Sequence, residues 1–369
     1  RARRLLRLDR LVKIRAKDFK PGLKVPDLQK QKTKDLIEQL ACPSQTLRLL
    51  TQKELLARGE EALPGLLKIM EGGDEVPRIQ RVFALWTYKQ IAKEKAAPAL
   101  LKLAEKRADF RELALRAATD RKAELQGIPI EPFVKALKDS DPFVRGQAAV
   151  CLGRLGTPRE QFTTGAENFN GPAPMPQGVA VANAKEIAAA LCAVLGDEEL
   201  QVRHLAMRAL RAMQAWEACL TTAEKTPLLR DALPLSNQFA LIALREIYVD
   251  AAADALTSLS QRANGALKAE VIKTMGRLAK KEDVWESKWW GTQPNTVGPF
   301  QKPAAWSSSE KLTKAVKSYL ENADEAIVAA AIWGLSATRD ASAASDLVKL
   351  AESGAPAIRT LALNALMTT

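Results

Sequence analysis

A short pattern returns along the chain at nearly constant intervals, and it constrains the fold more than any other feature. Its clearest copy is Asp139-Ser140-Asp141-Pro142-Phe143-Val144-Arg145, followed by Ala148, Ala149, Leu152 and Gly153. A second copy runs from Asp197 to Val202-Arg203, followed by Ala206, Met207 and Leu210. With the arginine as anchor and small or apolar residues required on the following turns, anchors fall at Arg48, Arg81, Arg111, Arg145, Arg203, Gln238, Lys268, Ala329 and Arg359. Their spacings are 33, 30, 34, 58, 35, 30, 61 and 30 residues. A period near thirty residues accommodates two short helices and their turns, and no single unit holds enough core to fold alone. Between anchors, alanine and leucine recur at helical spacing, and β-branched alternation is nowhere sustained.

The pattern has a physical reading. Asp141 precedes a helix start, where its carboxylate can accept free backbone N–H groups and suits the positive end of the dipole. Pro142 lacks only an N–H that the first turn would not use. Val144 is expected to point inward. Arg145, with Arg203 and Arg359 at the same position, is expected to reach acids or carbonyls of an adjoining unit and so to stack the repeats. The unit resembles the HEAT repeat, whose second helix opens with an Asp-Pro-x-Val-Arg type motif. That resemblance implies an all-α solenoid, a right-handed superhelix of antiparallel helix pairs.

The two long spacings contain the two least helical stretches. Residues 156–178 include eight glycines and prolines among 23 residues, and an irregular insertion is expected over 156–182. The second, over 284–308, carries four of the seven tryptophans: Trp285, Trp289, Trp290 and Trp306. Pro294, Gly298, Pro299 and Pro303 forbid a continuous helix there. Tryptophan is costly to expose and is enriched at interface hot spots. The rings are therefore expected either to fold back over adjacent repeats or, with Pro294, Pro299 and Phe300, to form a protein-docking loop.

Charge divides the chain. It carries 55 Lys and Arg against 43 Asp and Glu, a net +12. The first 35 residues hold 13 of the basic residues and four of the acids, so the remaining 334 carry 42 against 39. Residues 1–33 thus read as a basic extended leader or linker, with Leu11 to Ile14 as a possible short strand, and residues 34–369 as the solenoid, helical from near Thr33. Nucleic-acid binding on a basic HEAT-like surface is the alternative function, but a near-neutral array does not favour it.

Little in the chain suggests catalysis. The four cysteines, Cys42, Cys151, Cys192 and Cys219, form no CxxC pair and no CxxCH, and the last three sit in apolar helical stretches as small buried hydrophobes. His204 is the one histidine and is expected between helices. Asp109 and Glu112, read as neighbours on one helix, are acid–base candidates better explained as solvated charges. A lyase of the HEAT-like bilin-attaching type is the remaining enzymatic alternative. No metal, cofactor or catalytic set is expected, and no apolar run is long enough to span a membrane.

Three further stretches narrow the resemblance. They are Lys17-Asp18-Phe19-Lys20 through Pro26-Asp27-Leu28 to Lys34–Leu40; Pro43-Ser44 with Arg48 and Leu55–Gly59; and Trp289-Trp290-Gly291-Thr292-Gln293-Pro294-Asn295-Thr296 through Gly298-Pro299-Phe300 to Trp306. Together they are similar to the HEAT-repeat middle region of planctomycete-type membrane-bound dehydrogenases. In that family a sorbosone-dehydrogenase-like β-propeller usually precedes the repeats and a cytochrome c module often follows. The resemblance implies an exported protein in which this region spaces or docks redox domains. The oxidoreductase and haem chemistry belongs to those flanking domains, so no site residue is carried over.

Overall fold

The computed structural model describes residues 26–157, 183–225, 232–282, 303–337 and 341–367. The leader up to residue 25, most of the first insertion and residues 283–302 of the second lie outside them. The described residues form an all-α array of helix pairs in two compact units, divided after Lys93.

The first unit holds two pairs, α1 (Thr33–Gln39) with α2 (Gln45–Arg58) and α3 (Leu63–Glu71) with α4 (Arg78–Ala92). α1 begins at Thr33, where helical structure is expected from the sequence. Ser44 caps α2 by accepting the Leu47 N–H, and Gly59 closes it at φ +64°, a conformation glycine adopts without a Cβ clash. Leu36, Leu40, Leu55, Leu66 and Leu85 fill the core of this unit.

The second unit continues the pairing. α5 (Ala97–Lys106) precedes α6 (Arg111–Ala118), and α7 (Glu131–Ala136) precedes α8 (Pro142–Gly156). After the first insertion come α9 (Ala184–Ala193) with α10 (Leu200–Ala212), then α11 (Trp216–Lys225) with α12 (Leu235–Leu244). α13 (Asp250–Arg262) pairs with α14 (Gly265–Leu278), α15 (Ser309–Lys317) with α16 (Glu325–Ala337), and α17 (Ala344–Ser353) with α18 (Pro356–Leu366).

The even-numbered helices form a continuous layer in which each packs on the next from α6 to α18. Small residues set the closest approaches. A Cβ on Gly276 of α14 would lie 2.3 Å from the Cα of Gly334 on α16, and one on Gly153 of α8 would lie 2.6 Å from the Cβ of Ala209 on α10. Every anchor found in the sequence lies in an even-numbered helix, and in α2, α4, α8, α10, α12, α14 and α18 it is the fourth residue. The repeat in the sequence is thus the first turn of each even helix.

Two short strands also occur. β1 (Lys281–Glu282) pairs antiparallel with β2 (Pro303–Ala304), with Lys281 opposite Ala304, and so closes the base of the second insertion.

Candidate functional site

The geometry of the repeat junctions follows from the anchors. The turn that leads into an even-numbered helix carries backbone carbonyls that neither flanking helix satisfies. The anchor five or six residues later supplies their donors. Arg48 donates to Pro43 O at 2.9 Å, Arg145 to Asp139 O at 3.0 Å and Ser140 O at 3.2 Å, and Arg203 to Glu198 O at 3.0 Å. Gln238 substitutes an amide, donating from Nε2 to Leu233 O at 2.6 Å.

The anchors Arg111 and Arg145 also cross to the next repeat. Arg111 pairs with the carboxylate of Asp139, and Arg145 binds Asp197 through two hydrogen bonds of 2.8 and 2.9 Å. Each aspartate in turn accepts a backbone N–H of its own turn, from Asp141 and Glu199 respectively, both at 2.9 Å. Burial alone would raise these two carboxyls, but the backbone donors and the guanidinium partners hold both below the ordinary carboxylate range. For Arg145, its hydrogen bonds to Asp197 outweigh burial and raise the guanidinium further. Asp141 caps α8 by accepting the Phe143 N–H at 2.9 Å.

At the next junction no carboxylate among the described residues pairs with Arg203, whose guanidinium lies 5.2 Å from the Phe239 ring. Arg359 differs from the expectation for its position: it is exposed and has no side-chain hydrogen bond or ion pair among the described residues. His204 is likewise exposed rather than lodged between helices. The buried stripe of α10 runs through Val202, Ala206, Ala209 and Leu210, and position 204 falls on the opposite side.

Of the candidate docking residues in the second insertion, Trp285, Trp289, Trp290, Pro294, Pro299 and Phe300 lie outside the described residues. Trp306 lies within them and is half-buried. Its indole N–H donates to Leu278 O at 2.8 Å, and its ring meets Tyr248 edge-on with centroids 5.7 Å apart. Next to it, the Ser307 hydroxyl donates to Asp250 at 2.6 Å and the Ser308 hydroxyl donates to the same carboxylate, which these donors hold below its ordinary pKa. The chain thus returns from the insertion pinned to α13 and α14.

Other groups fall into structural roles. Cys151, Cys192 and Cys219 are buried and Cys42 half-buried, and all four are free thiols. Burial pushes the Cys151 thiol up, and the Thr119 hydroxyl donates to its sulfur at 3.1 Å. Asp109 sits in a short 3-10 turn ahead of α6 rather than on a helix with Glu112, and Arg107 binds it at 2.9 and 3.0 Å. Among the described residues no group of three or more His, Cys, Asp or Glu is placed to hold a metal ion, and no helix is long and apolar enough to cross a membrane. A groove of about 750 Å³ lies between α5 and α7. Leu101, Ala104 and Ala136 line it, and Lys102, Glu105 and Lys135 give its rim mixed charge.

Sequence reading overlooked two features of the even-helix layer. One is a series of exposed apolar side chains at the first turns of successive helices: Phe143 on α8 (66% exposed), Leu200 on α10 (61%) and Leu235 on α12 (44%). They precede the anchors by two or three residues, so the signal was present beside the motif. The other is a gathering of basic side chains on α10, α12 and α14, described below.

Comparison with known proteins agrees with this architecture. Residues 130–157, which span α7 and α8, match the HEAT repeat family. No curated protein matches the chain significantly. Among solved structures, a Kap121p variant aligns with a TM-score of 0.50 and 12% identity over 90% of this chain and 36% of that one. YibA of Escherichia coli aligns with a TM-score of 0.38 and 15% identity over 84% of this chain and 93% of its own. Human deoxyhypusine hydroxylase gives 0.28 and 15% over 92% and 96%. The chain is an all-α HEAT solenoid.

Proposed function

We propose that the chain is a non-catalytic scaffold that docks protein domains, and that it serves as a spacer or docking module within a larger multidomain redox protein. The observation that carries the docking part is the series Phe143, Leu200 and Leu235. Three large apolar side chains are left exposed on the first turns of α8, α10 and α12. Exposed apolar residues that recur along a scaffold suit a binding surface. The Trp289–Trp306 motif and its resemblance to the dehydrogenase-associated repeats support the redox context, with flanking propeller and cytochrome c modules as the first partners to test and an extracytoplasmic location as the setting.

A photo-crosslinking amino acid at position 143, 200 or 290, introduced in the native host, tests this reading. The expected result is a defined protein adduct at 143 and 200 that weakens when Leu235 is replaced by serine. Absence of a protein adduct at all three positions would sink it. For the redox context, the reading frame around the chain should encode a propeller upstream and a CxxCH motif downstream.

A further inference from the structure

The second unit concentrates positive charge on one face of its even-helix layer. On α10, His204, Arg208 and Arg211 follow one another at i, i+4 and i+7, and on α14 Glu270, Lys273 and Arg277 do so at i, i+3 and i+7. Between them, Arg245 and Glu246 stand at the end of α12. Side-chain contacts join the three helices into one row. Arg211 meets Glu246 at 2.8 Å, Arg245 meets Glu270 at 3.1 Å and Lys273 meets the same Glu270 at 2.6 Å. At the α16 side, the Arg245 guanidinium stacks 5.0 Å from the ring of Trp333, which is 41% exposed.

Among the described residues, the four cations Arg208, Arg211, Arg245 and Lys273 of this row face two carboxylates, Glu246 and Glu270. The imbalance acts on the side chains themselves. Burial first, and then repulsion from Arg277 and Arg208, holds the Arg211 guanidinium below its ordinary pKa despite Glu246. Burial first, and then Arg211 and Arg277, does the same to Arg245 despite Glu270. The Nε atoms of Arg211 and Arg245 are buried with no acceptor among the described residues. Positive charge therefore exceeds negative charge along the described part of the row, and an arriving anion is favoured.

We propose that this row, Arg208, Arg211, Arg245 and Lys273, binds an acidic, extended segment of a protein partner, with Trp333 receiving an apolar side chain of it. The proposal deepens the docking function proposed above and rests on it. Charge complementarity identifies the occupant as acidic. The interruptions identify it as a peptide: Glu246 and Glu270 recur at each helix step, and a continuous phosphate backbone would meet them, whereas a peptide can set its acids opposite the cations and its apolar residues elsewhere. Three interhelical steps of about 9 Å each, from α10 to α16, span about 27 Å. An extended chain covers that distance with about eight residues.

The test uses the full chain and fluorescence anisotropy. The probes are a synthetic peptide of about ten residues alternating Glu with Leu and Phe, its Gln-for-Glu counterpart, and single- and double-stranded DNA of similar length. The acidic peptide is expected to bind, and its affinity to fall about tenfold or more at high salt, with the Gln peptide, and in the Arg208→Glu/Lys273→Glu variant. Trp333→Ala, which leaves every charge in place, is expected to weaken binding with little change in the salt dependence. Thermal unfolding followed by circular dichroism checks that both variants fold. Absence of acidic-peptide binding, equal binding in folded Arg208→Glu/Lys273→Glu, or tighter binding of either DNA at the same salt would overturn the proposal. The crosslinks at 143 and 200 separate the two levels. Adducts there without acidic-peptide binding reject the acidic row and leave the docking function standing, and absence of both rejects both.

Discussion

Arg145 and Asp197 share two near-parallel hydrogen bonds, Nε to Oδ2 at 2.8 Å and Nη2 to Oδ1 at 2.9 Å, across the junction between two repeats. Both side chains are about one-tenth exposed, so the pair is largely removed from water. The same guanidinium also satisfies Asp139 O and Ser140 O. Arg145→Ala strips all of these acceptors at once and is expected to cost about 3–5 kcal/mol, the range for breaking one side of a buried pair. Arg145→Lys keeps the charge but not the planar fork and is expected to lose most of that stability. Urea unfolding of Arg145→Ala, Asp197→Asn and the double variant measures the coupling. A loss below about 1 kcal/mol for Arg145→Ala would show that the pair does not hold the junction.

Acid should loosen the same junctions. Asp139 and Asp197 both have folded-state pKa values below the ordinary carboxylate range. A group with a depressed folded pKa adds stability that is fully present above its unfolded value, about 4, and that is lost as pH falls through the folded value. The unfolding midpoint is therefore expected to be insensitive to these two groups from pH 7 to 5 and to decline below about pH 4. Asp197→Asn should lower the midpoint at neutral pH and flatten the acid decline. An acid decline as steep in the variant as in the parent would assign it to other carboxylates.

Much of this scaffold was legible because the repeat motif is also a local folding instruction. Asp141 caps a helix that Pro142 can begin, and Arg145 satisfies carbonyls five and six residues back, so all three roles are encoded within one turn of chain. Even the degenerate anchors Gln238, Lys268 and Ala329 fall in even-numbered helices, because helical spacing of small residues carries the signal when the arginine is gone. The basic row was not legible. Arg211 and Arg245 lie near the ends of their helices, outside the motif, and a charge count along the chain averages them against distant acids. Only the packing of α10, α12 and α14 gathers them. His204 was misplaced for a related reason: one residue's depth depends on which side of the helix its neighbours cover, and Val202 and Ala206 decide that for α10.

The closest helix approach yields a prediction of opposite sign to propensity. In an exposed helix interior, glycine to alanine is favourable by roughly 1 kcal/mol. At Gly276 the new methyl would meet Gly334 Cα at 2.3 Å, and backbone cannot yield as a side chain can. Gly276→Ala is expected to destabilise by about 1–3 kcal/mol, by forcing α14 and α16 apart. Gly334→Ala places its nearest contact, Gly276 Cα, at 3.1 Å and should cost less. Thermal melts of the two variants give the order directly, and an equal or reversed order would refute this account of the contact.

Thiol reactivity should follow burial. Cys42 is half-buried, while Cys151, Cys192 and Cys219 are buried within the second unit. A small aromatic disulfide reagent is expected to label Cys42 first in the native chain and the other three at rates that rise with urea. Peptide mapping after a short exposure checks the order. Rapid native labelling of Cys151, whose thiol burial pushes up and whose sulfur accepts from Thr119, would contradict the packing of α6 against α8.

Trp306 and Trp290 should separate anchoring from docking. The Trp306 indole N–H is committed to Leu278 O, and its ring to Tyr248. Trp306→Phe keeps an aromatic ring but loses the hydrogen bond, for an expected cost of about 1 kcal/mol. Trp306→Ala also gives up the ring contact and should cost about 2–3 kcal/mol. If the second insertion docks a protein domain, Trp290→Ala should instead leave the unfolding midpoint within about 0.5 kcal/mol of the parent and abolish the crosslink introduced nearby at position 289. Both quantities come from one set of purified variants. A Trp290→Ala chain as unstable as Trp306→Ala, with its crosslink intact, would place both tryptophans in the fold and remove the insertion from the docking surface.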